Sequence, residues 1–473
     1  MQLEFLVAMS KSINYISTRG ASNTLKFNDV IFEGLAADGG LYVPEKWPVI
    51  SDEQIKSFEE KSYNEIAHDV ISVFLDDSIS SQDLTNIINH SYSTFSNPEV
   101  TPLRRLDQTQ YLLELFHGPT FAFKDVAMQF IGNIMNLYLS RKQRQINILG
   151  ATSGDTGAAA IEGFKNLDNS NIFILHPHNK ISEVQKKFMT TIESDNVYNI
   201  AIKGTFDDCQ SIIKTIFSDL QFKKDNNLTA INSINWARIM CQTVYYFYAM
   251  SRLDYDNKSV MFSVPTGNFG DILAGYISMK MGLKISKLNI ATNENDILTR
   301  TLNTGHHDLR DVKKTTSPSI DIQVSSNFER LLFDITDDTE LVKEQMLQLN
   351  TNRQYQLSNE ILRKMREVFS SHSVNQNEVK DVIHNYYKDH NIVIDPHTAV
   401  GIGSANKCDE EFDIKVFLAT AHPAKFNDTV SEIIGNKDFI PLKVKDMMEL
   451  DDNYVILEND VMIIKKFLED KIK

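Results

Sequence analysis

Two textures of apolar spacing divide the chain. Over the first 97 residues, DEQIKSFEEKSYNEIAHDVISVFL (52–75) and SQDLTNIINHSY (81–92) carry apolar positions three and four apart, which predicts amphipathic helices and a mostly helical unit. The texture changes near SNPEVTPL (96–103). From there short apolar runs alternate with helical patterns. INILG (146–150) precedes GAAAIEGF, IFILH (172–176) precedes SEVQKKFMTTI, and VYNIAIK (197–203) precedes FDDCQSIIKTIF. A helix through WARIMCQTVYYFYAM leads to VMFSVP (260–265) and then to GDILAGYISMKMG. This alternation predicts an α/β fold in which parallel sheets are covered by helices. The expected units are 1–97, 98–255 and 256–473. The longest apolar runs, such as TVYYFYAM (243–250), are too short to span a bilayer, so no membrane partner is expected.

Composition narrows this only a little. A chain of 473 residues exceeds what one core usually serves, consistent with two or three units. The net charge of -15 argues against nucleic acid as the main partner while leaving room for a local basic pocket. Cys209, Cys241 and Cys408 lie far apart and cannot form a disulfide framework, so a cytoplasmic location is expected. The opening MQLEFLVAMSKS carries Glu4 and lacks a basic stretch, and reads as a short extension and not a signal peptide. No metal site is expected: the histidines of TGHHDLR have no ligand partners at diagnostic spacing.

In α/β folds ligands bind at loops leaving the carboxyl ends of strands, so the chemistry should lie in those loops. HGPTFAFKD (117–125) puts Lys124 in the first turn of a helix whose apolar positions begin at Ala127. A cation there meets the unfavourable end of the helix dipole, but a nucleophilic amine gains from apolar, positive surroundings that lower its pKa. GATSGDTG (150–157) joins a strand to a helix and offers free amides with the hydroxyls of Thr152, Ser153 and Thr156. It is either an anion site or an ordinary capped turn. PTGNFGD (265–271) repeats the arrangement, with Gly267, Asn268, Phe269 and Gly270 as backbone donors; Asp271 is odd for an anion site unless it only caps the helix. In LATAHPAKF (418–426) an apolar strand ends at Thr420, and His422 reads as a turn histidine, not a base. In INSINWAR (231–238), Arg238 is either a phosphate clamp or half of a structural ion pair. DPHTAVG (395–401) reads as the start of a helix.

One amine and two anion loops suit pyridoxal phosphate, which needs a lysine, a phosphate cradle and a partner for its ring nitrogen, while an amino-acid substrate brings a separate carboxylate. The set YISTRG (15–20), GLAADGGLYVP (34–44), HGPTFAFKD, GATSGDTG, PTGNFGD and LATAHPAKF resembles the threonine synthase family, in order along nearly the whole chain; residues 303–390 match least. The resemblance implies a fold-type II pyridoxal-phosphate enzyme of the tryptophan synthase β type, with two parallel-sheet domains and an added helical N-terminal domain. It implies conversion of O-phospho-L-homoserine and water to L-threonine and phosphate. By the same resemblance, Lys124 is the Schiff-base lysine, and Gly267, Asn268, Phe269, Gly270 and Asp271 are the cofactor-phosphate loop. Thr420 faces the ring nitrogen. Thr152, Ser153, Asp155 and Thr156 receive the substrate carboxylate, and Arg238 the substrate phosphate. A monomer is expected, with a dimer as the alternative.

The nearest rival is a related dehydratase or phospholyase, which shares the lysine and cradle but delivers no water to Cβ. A metabolite-binding protein that kept the fold is a second alternative, against which the intact lysine motif speaks. A nucleotide-binding enzyme is a third, without a Walker A lysine to support it.

Overall fold

The computed structural model describes residues 13–152 and 154–472. The reading of residues 1–12 as a short extension, and Ser153 among the expected site residues, lie outside the described residues.

Two sheets organise the chain. The smaller is all parallel, in the order Val455–Leu457, Val197–Ile202, Ser170–Pro177, Ile146–Ala151, Leu228–Thr229. The larger runs Phe369–Ser373, Lys287–Thr292, Val260–Pro265, Ile414–Ala419, Gln110–Glu114, Leu103–Arg105, parallel except for the last, antiparallel pair. Strands covered on both faces lose polar–apolar alternation and become continuous apolar runs. Val260–Pro265, buried at every position, shows this. Each crossover supplies a covering helix, of which Lys124–Lys142, Asp155–Phe164, Trp236–Ser251 and Gly270–Lys280 bear on the site.

Sheet membership crosses the expected cut at 255/256 twice. Gln110–Glu114 pairs with Ile414–Ala419, and Val455–Leu457 pairs with Val197–Ile202. Parallel pairing joins segments distant in sequence, so a linear division of the chain does not report it.

In the N-terminal region the pattern at 52–75 resolves into Asp52–Lys56, a 3-10 turn at Ser57–Glu60, and Tyr63–Ser72. The break lies where Ser62 and Glu65 form a reciprocal capping box that starts a new helix. Ser81–Tyr92 follows, capped likewise by Ser80 and Asp83. This unit docks on the fully buried helix Trp236–Ser251: Tyr63 meets Tyr248 edge-on at 5.3 Å, and Trp236 lies 5.8 Å from Tyr15 and 5.9 Å from Trp47. Among the described residues no helix is long and apolar enough to cross a membrane.

Candidate active site

Lys124 is the first residue of its helix, preceded by Phe123 with no side-chain cap. The turn before it is pinned by Asp125, whose buried carboxyl accepts from the Thr120 amide and hydroxyl, each at 2.7 Å. The Phe123 amide donates to the Thr420 carbonyl at 2.9 Å, and Ala122 bridges Ala421 antiparallel. Two motifs almost 300 residues apart are thereby stitched into one wall. The Lys124 side chain is buried, with Nζ 5.3 Å from the Phe123 ring centre. Burial, followed by the nearby Lys425 and Arg238, lowers its pKa, against the opposing pull of Asp155.

A cleft opens beside this turn, with a cavity of about 80 Å³. Phe123, Thr156, Arg238, Gly267–Asp271, Ser319 and Thr420 line it. Eight of the expected residues therefore face one space: Thr156, Arg238, Gly267, Asn268, Phe269, Gly270, Asp271 and Thr420. Lys124 reaches the same place through Ser319, whose hydroxyl lies 3.4 Å from its Nζ.

The cradle at 267–270 is built by turning its carbonyls outward. Ser325 Oγ donates to the Gly267 carbonyl at 2.7 Å, and the Asn327 amide and Nδ2 donate to the Asn268 carbonyl at 3.0 and 2.9 Å. In a trans peptide the following N–H points the opposite way, here toward the cleft. Phe269 takes a left-handed φ of 63°, rare for a bulky side chain, held by its ring against Phe328 and Phe369. That turn gathers successive N–H groups at the start of the helix Gly270–Lys280, a geometry that favours an anion. A Cβ at Gly267 would come 2.8 Å from the Ser319 carbonyl, so only glycine lets the loop close there.

Among the described residues Arg238 has no ion-pair partner. It is 4% exposed, and its Nη1 is buried with no hydrogen-bond acceptor. Burial brings its pKa down to about 10, leaving it cationic at neutral pH. A buried guanidinium without a counter-ion is costly, and an anionic ligand would relieve that cost. Asp271 answers the oddity of an acid at an anion loop. Its Oδ1 accepts from the Tyr245 and Tyr246 hydroxyls, Oδ2 is unpartnered, and burial pushes its pKa up to about 7. A carboxyl poised to hold its proton can sit under a phosphate. The Gln242 Oε1 on the same wall also lacks a partner. Orphaned polar atoms, an N–H cradle and a buried lysine fit pyridoxal phosphate.

Two expected residues have other duties. Thr152 does not line the cleft; its hydroxyl accepts from the Gly154 and Gly157 amides at 3.0 and 2.9 Å and so shapes the loop. Asp155 cannot hold an anion by its own charge. Its Oδ1 meets Lys425 at 2.8 Å and its Oδ2 meets Lys124 at 3.3 Å. Although burial works against its ionisation, Lys425 and Lys124 hold its pKa well below the ordinary carboxylate range. His422 behaves as a turn residue, its Nδ1 accepting from the Ala424 amide at 3.1 Å. Asp395 caps the helix Pro396–Ala405, and it orients His397, whose Nε2 accepts from the Ser319 amide at 3.1 Å. Gln242, Ser319 and His397 were not expected; His397 stood inside the quoted DPHTAVG, read there only as the start of a helix. Lys425 stood inside a quoted motif without a role.

A threonine synthase N-terminus model matches residues 14–92, a pyridoxal-phosphate dependent enzyme model 95–350, and a threonine synthase C-terminal model 398–468. The threonine synthase of Pseudomonas aeruginosa is 44% identical over 459 residues, covering 96% of this chain and 98% of that one. A crystal structure of PLP-bound threonine synthase from Brucella melitensis superposes with a TM-score of 0.95 at 43% identity, covering 98% of this chain and 100% of that one. The yeast threonine synthase structure gives 0.93 at 39%, covering 98% and 99%.

Proposed function

The chain belongs to the threonine synthase family, and from that premise we propose that it converts O-phospho-L-homoserine and water to L-threonine and inorganic phosphate, with pyridoxal phosphate held at Lys124. When bound, the cofactor supplies an electron sink for negative charge developing beside the substrate's amino group.

The remaining chemistry falls to side chains and amides of this chain. The Lys124 Nζ would hold the cofactor, and the N–H groups of 267–270, beside Asp271, would hold its phosphate. Thr420, which lines the cleft, would offer its hydroxyl to the ring nitrogen. A hydroxyl there, in place of a carboxylate, would leave that nitrogen largely unprotonated and moderate the electron sink. The Lys124 amine would take the proton from the substrate's Cα and return one. Burial, with Lys425 and Arg238 nearby and Asp155 opposing, lowers that amine's pKa in the direction this role needs. The amides at the start of the helix Asp155–Phe164 and the Thr156 hydroxyl orient the substrate carboxylate, while Asp155 itself stays paired with the lysines. Arg238 holds the substrate phosphate until it departs from Cγ, after which water adds at Cβ.

The observation that carries this proposal is the unpaired Arg238 guanidinium and the N–H cradle facing one cleft, with Lys124 adjoining it. The three free cysteines support a reducing cytoplasm. We further assign residues 13–97 to a scaffolding unit, the GATSGDTG sheet to substrate-carboxylate binding and the PTGNFGD sheet to cofactor-phosphate binding. The test is product analysis with O-phospho-L-homoserine. Equimolar threonine and phosphate support the proposal, whereas 2-oxobutyrate favours the dehydratase or phospholyase alternative.

A further inference from the structure

Lys425 is a fully buried cation with a fixed set of partners. Its Nζ is 2.8 Å from Asp155 Oδ1, donates to the Thr120 carbonyl at 2.7 Å and lies 4.7 Å from the Phe188 ring centre. None of these contacts faces the cleft. The side chain sits on the far oxygen of the carboxylate whose near oxygen meets Lys124. The three groups form a line of ammonium, carboxylate and ammonium, closed in by Phe123, Phe188, Gln185 and Ser319.

Charge bookkeeping along this line gives the two lysines different jobs. With both protonated the line carries one net positive charge in a dry environment, so one proton is readily lost. Lys425 is locked by a short ion pair and a carbonyl. Lys124 has a longer ion pair at 3.3 Å and a hydroxyl at 3.4 Å, and it borders the cleft. The amine that yields its proton is therefore Lys124, leaving Asp155 and Lys425 as a neutral pair behind it. Without Lys425, Asp155 would demand Lys124 as its own counter-ion.

We propose that Lys425 is the permanent counter-ion of Asp155, a positioning residue whose charge releases Lys124 to act as nucleophile and proton carrier. This rests on the function proposed above. The other charged groups around the line leave the assignment unchanged: Arg238 adds positive potential, Asp125 lies on the Lys425 side behind Thr120, and His397 reaches Asp155 only through Ser319.

The test is the pH dependence of borohydride trapping of pyridoxal phosphate on Lys124, read by peptide mass in the purified full-length protein. In Lys425→Met the trapping midpoint should rise by about one pH unit or more, since an opposite charge within reach shifts an amine by roughly 1–3 units. Lys425→Arg should restore it most of the way. Because Lys425→Met leaves a buried carboxylate half-paired and can impair folding, the double variant Asp155→Asn/Lys425→Met is measured beside it. With both charges gone its midpoint should return to the wild-type value or below. A midpoint unmoved in Lys425→Met, or raised in the double variant, overturns the proposal. Absence of any trapping at Lys124 in the wild type, at every pH, would instead remove the function on which it rests.

Discussion

Arg19 grips Glu329 with two parallel hydrogen bonds, Nε to Oε1 at 3.0 Å and Nη2 to Oε2 at 2.8 Å. The Thr18 hydroxyl adds a third donor to the same carboxylate at 2.6 Å. Glu329 stands two residues beyond Asn327, which holds the Asn268 carbonyl of the anion cradle. Its neighbour Arg330 donates to the carbonyls of Tyr42 and Ile234. The YISTRG and GLYVP stretches of the N-terminal unit thus grasp the segment SSNFER, which in turn shapes the loop at 267–270. Arg19→Met should leave a nearly buried carboxylate short of its partner and cost about 2–3 kcal/mol. A thermal unfolding series checks this, and cofactor affinity should fall with it because the cradle loses its backing.

Arg238→Met should separate stability from binding. Removing a buried guanidinium that has no partner relieves an uncompensated charge, so the apoprotein should unfold at equal or higher temperature. Affinity for a phosphonate analogue of the substrate, measured by calorimetry, should drop at least tenfold, the loss of one charge-assisted contact. A destabilised variant with unchanged affinity would return Arg238 to the role of a structural residue.

Asp271 gives the molecule a pH signature. Its carboxyl is raised from 3.8 to about 7 in the fold, first by burial, with the two tyrosine hydroxyls opposing. The folded state therefore favours the protonated form. Its contribution is fully present below pH 3.8 and is lost as pH rises toward 7, at a cost on the order of 4 kcal/mol once lost. The stability difference between wild type and Asp271→Asn should change across that window and level off above it. Denaturant titrations of the apoproteins at pH 5 and pH 8 (about one unit above the folded value) measure the difference. A constant offset would contradict a raised carboxyl.

Much of this site was legible in the sequence because its parts are local. A strand, a glycine-containing turn and a helix start declare themselves within ten residues, and so the loops carrying Gly267–Asp271 and Thr156 were found. What failed to show is non-local. Ser319 and His397 enter through the packing of a loop on a distant helix, and Lys425 acquires its role only when Asp155 is brought beside it. The surroundings of Asp155 have the same origin: in the motif it stands among hydroxyls, but in the fold it stands between two amines. Likewise the region 303–390, which matched least, contributes SSNFER through contacts with strands and motifs hundreds of residues away.

The two anion loops belong to different sheets, so a substrate whose carboxylate and phosphate engage both sides should draw them together. A structure with a phosphonate analogue of O-phospho-L-homoserine should show the two loops drawn closer together around the ligand. An unchanged cleft would reject closure.

The most direct measurement is borohydride reduction of the pyridoxal-phosphate-loaded protein, followed by peptide mapping. The expected result is a single stable adduct on Lys124, absent in Lys124→Ala together with the visible absorbance of the bound cofactor. An adduct on another lysine, or none at all in fully loaded protein, would contradict the assignment of Lys124 as the residue on which the chemistry depends.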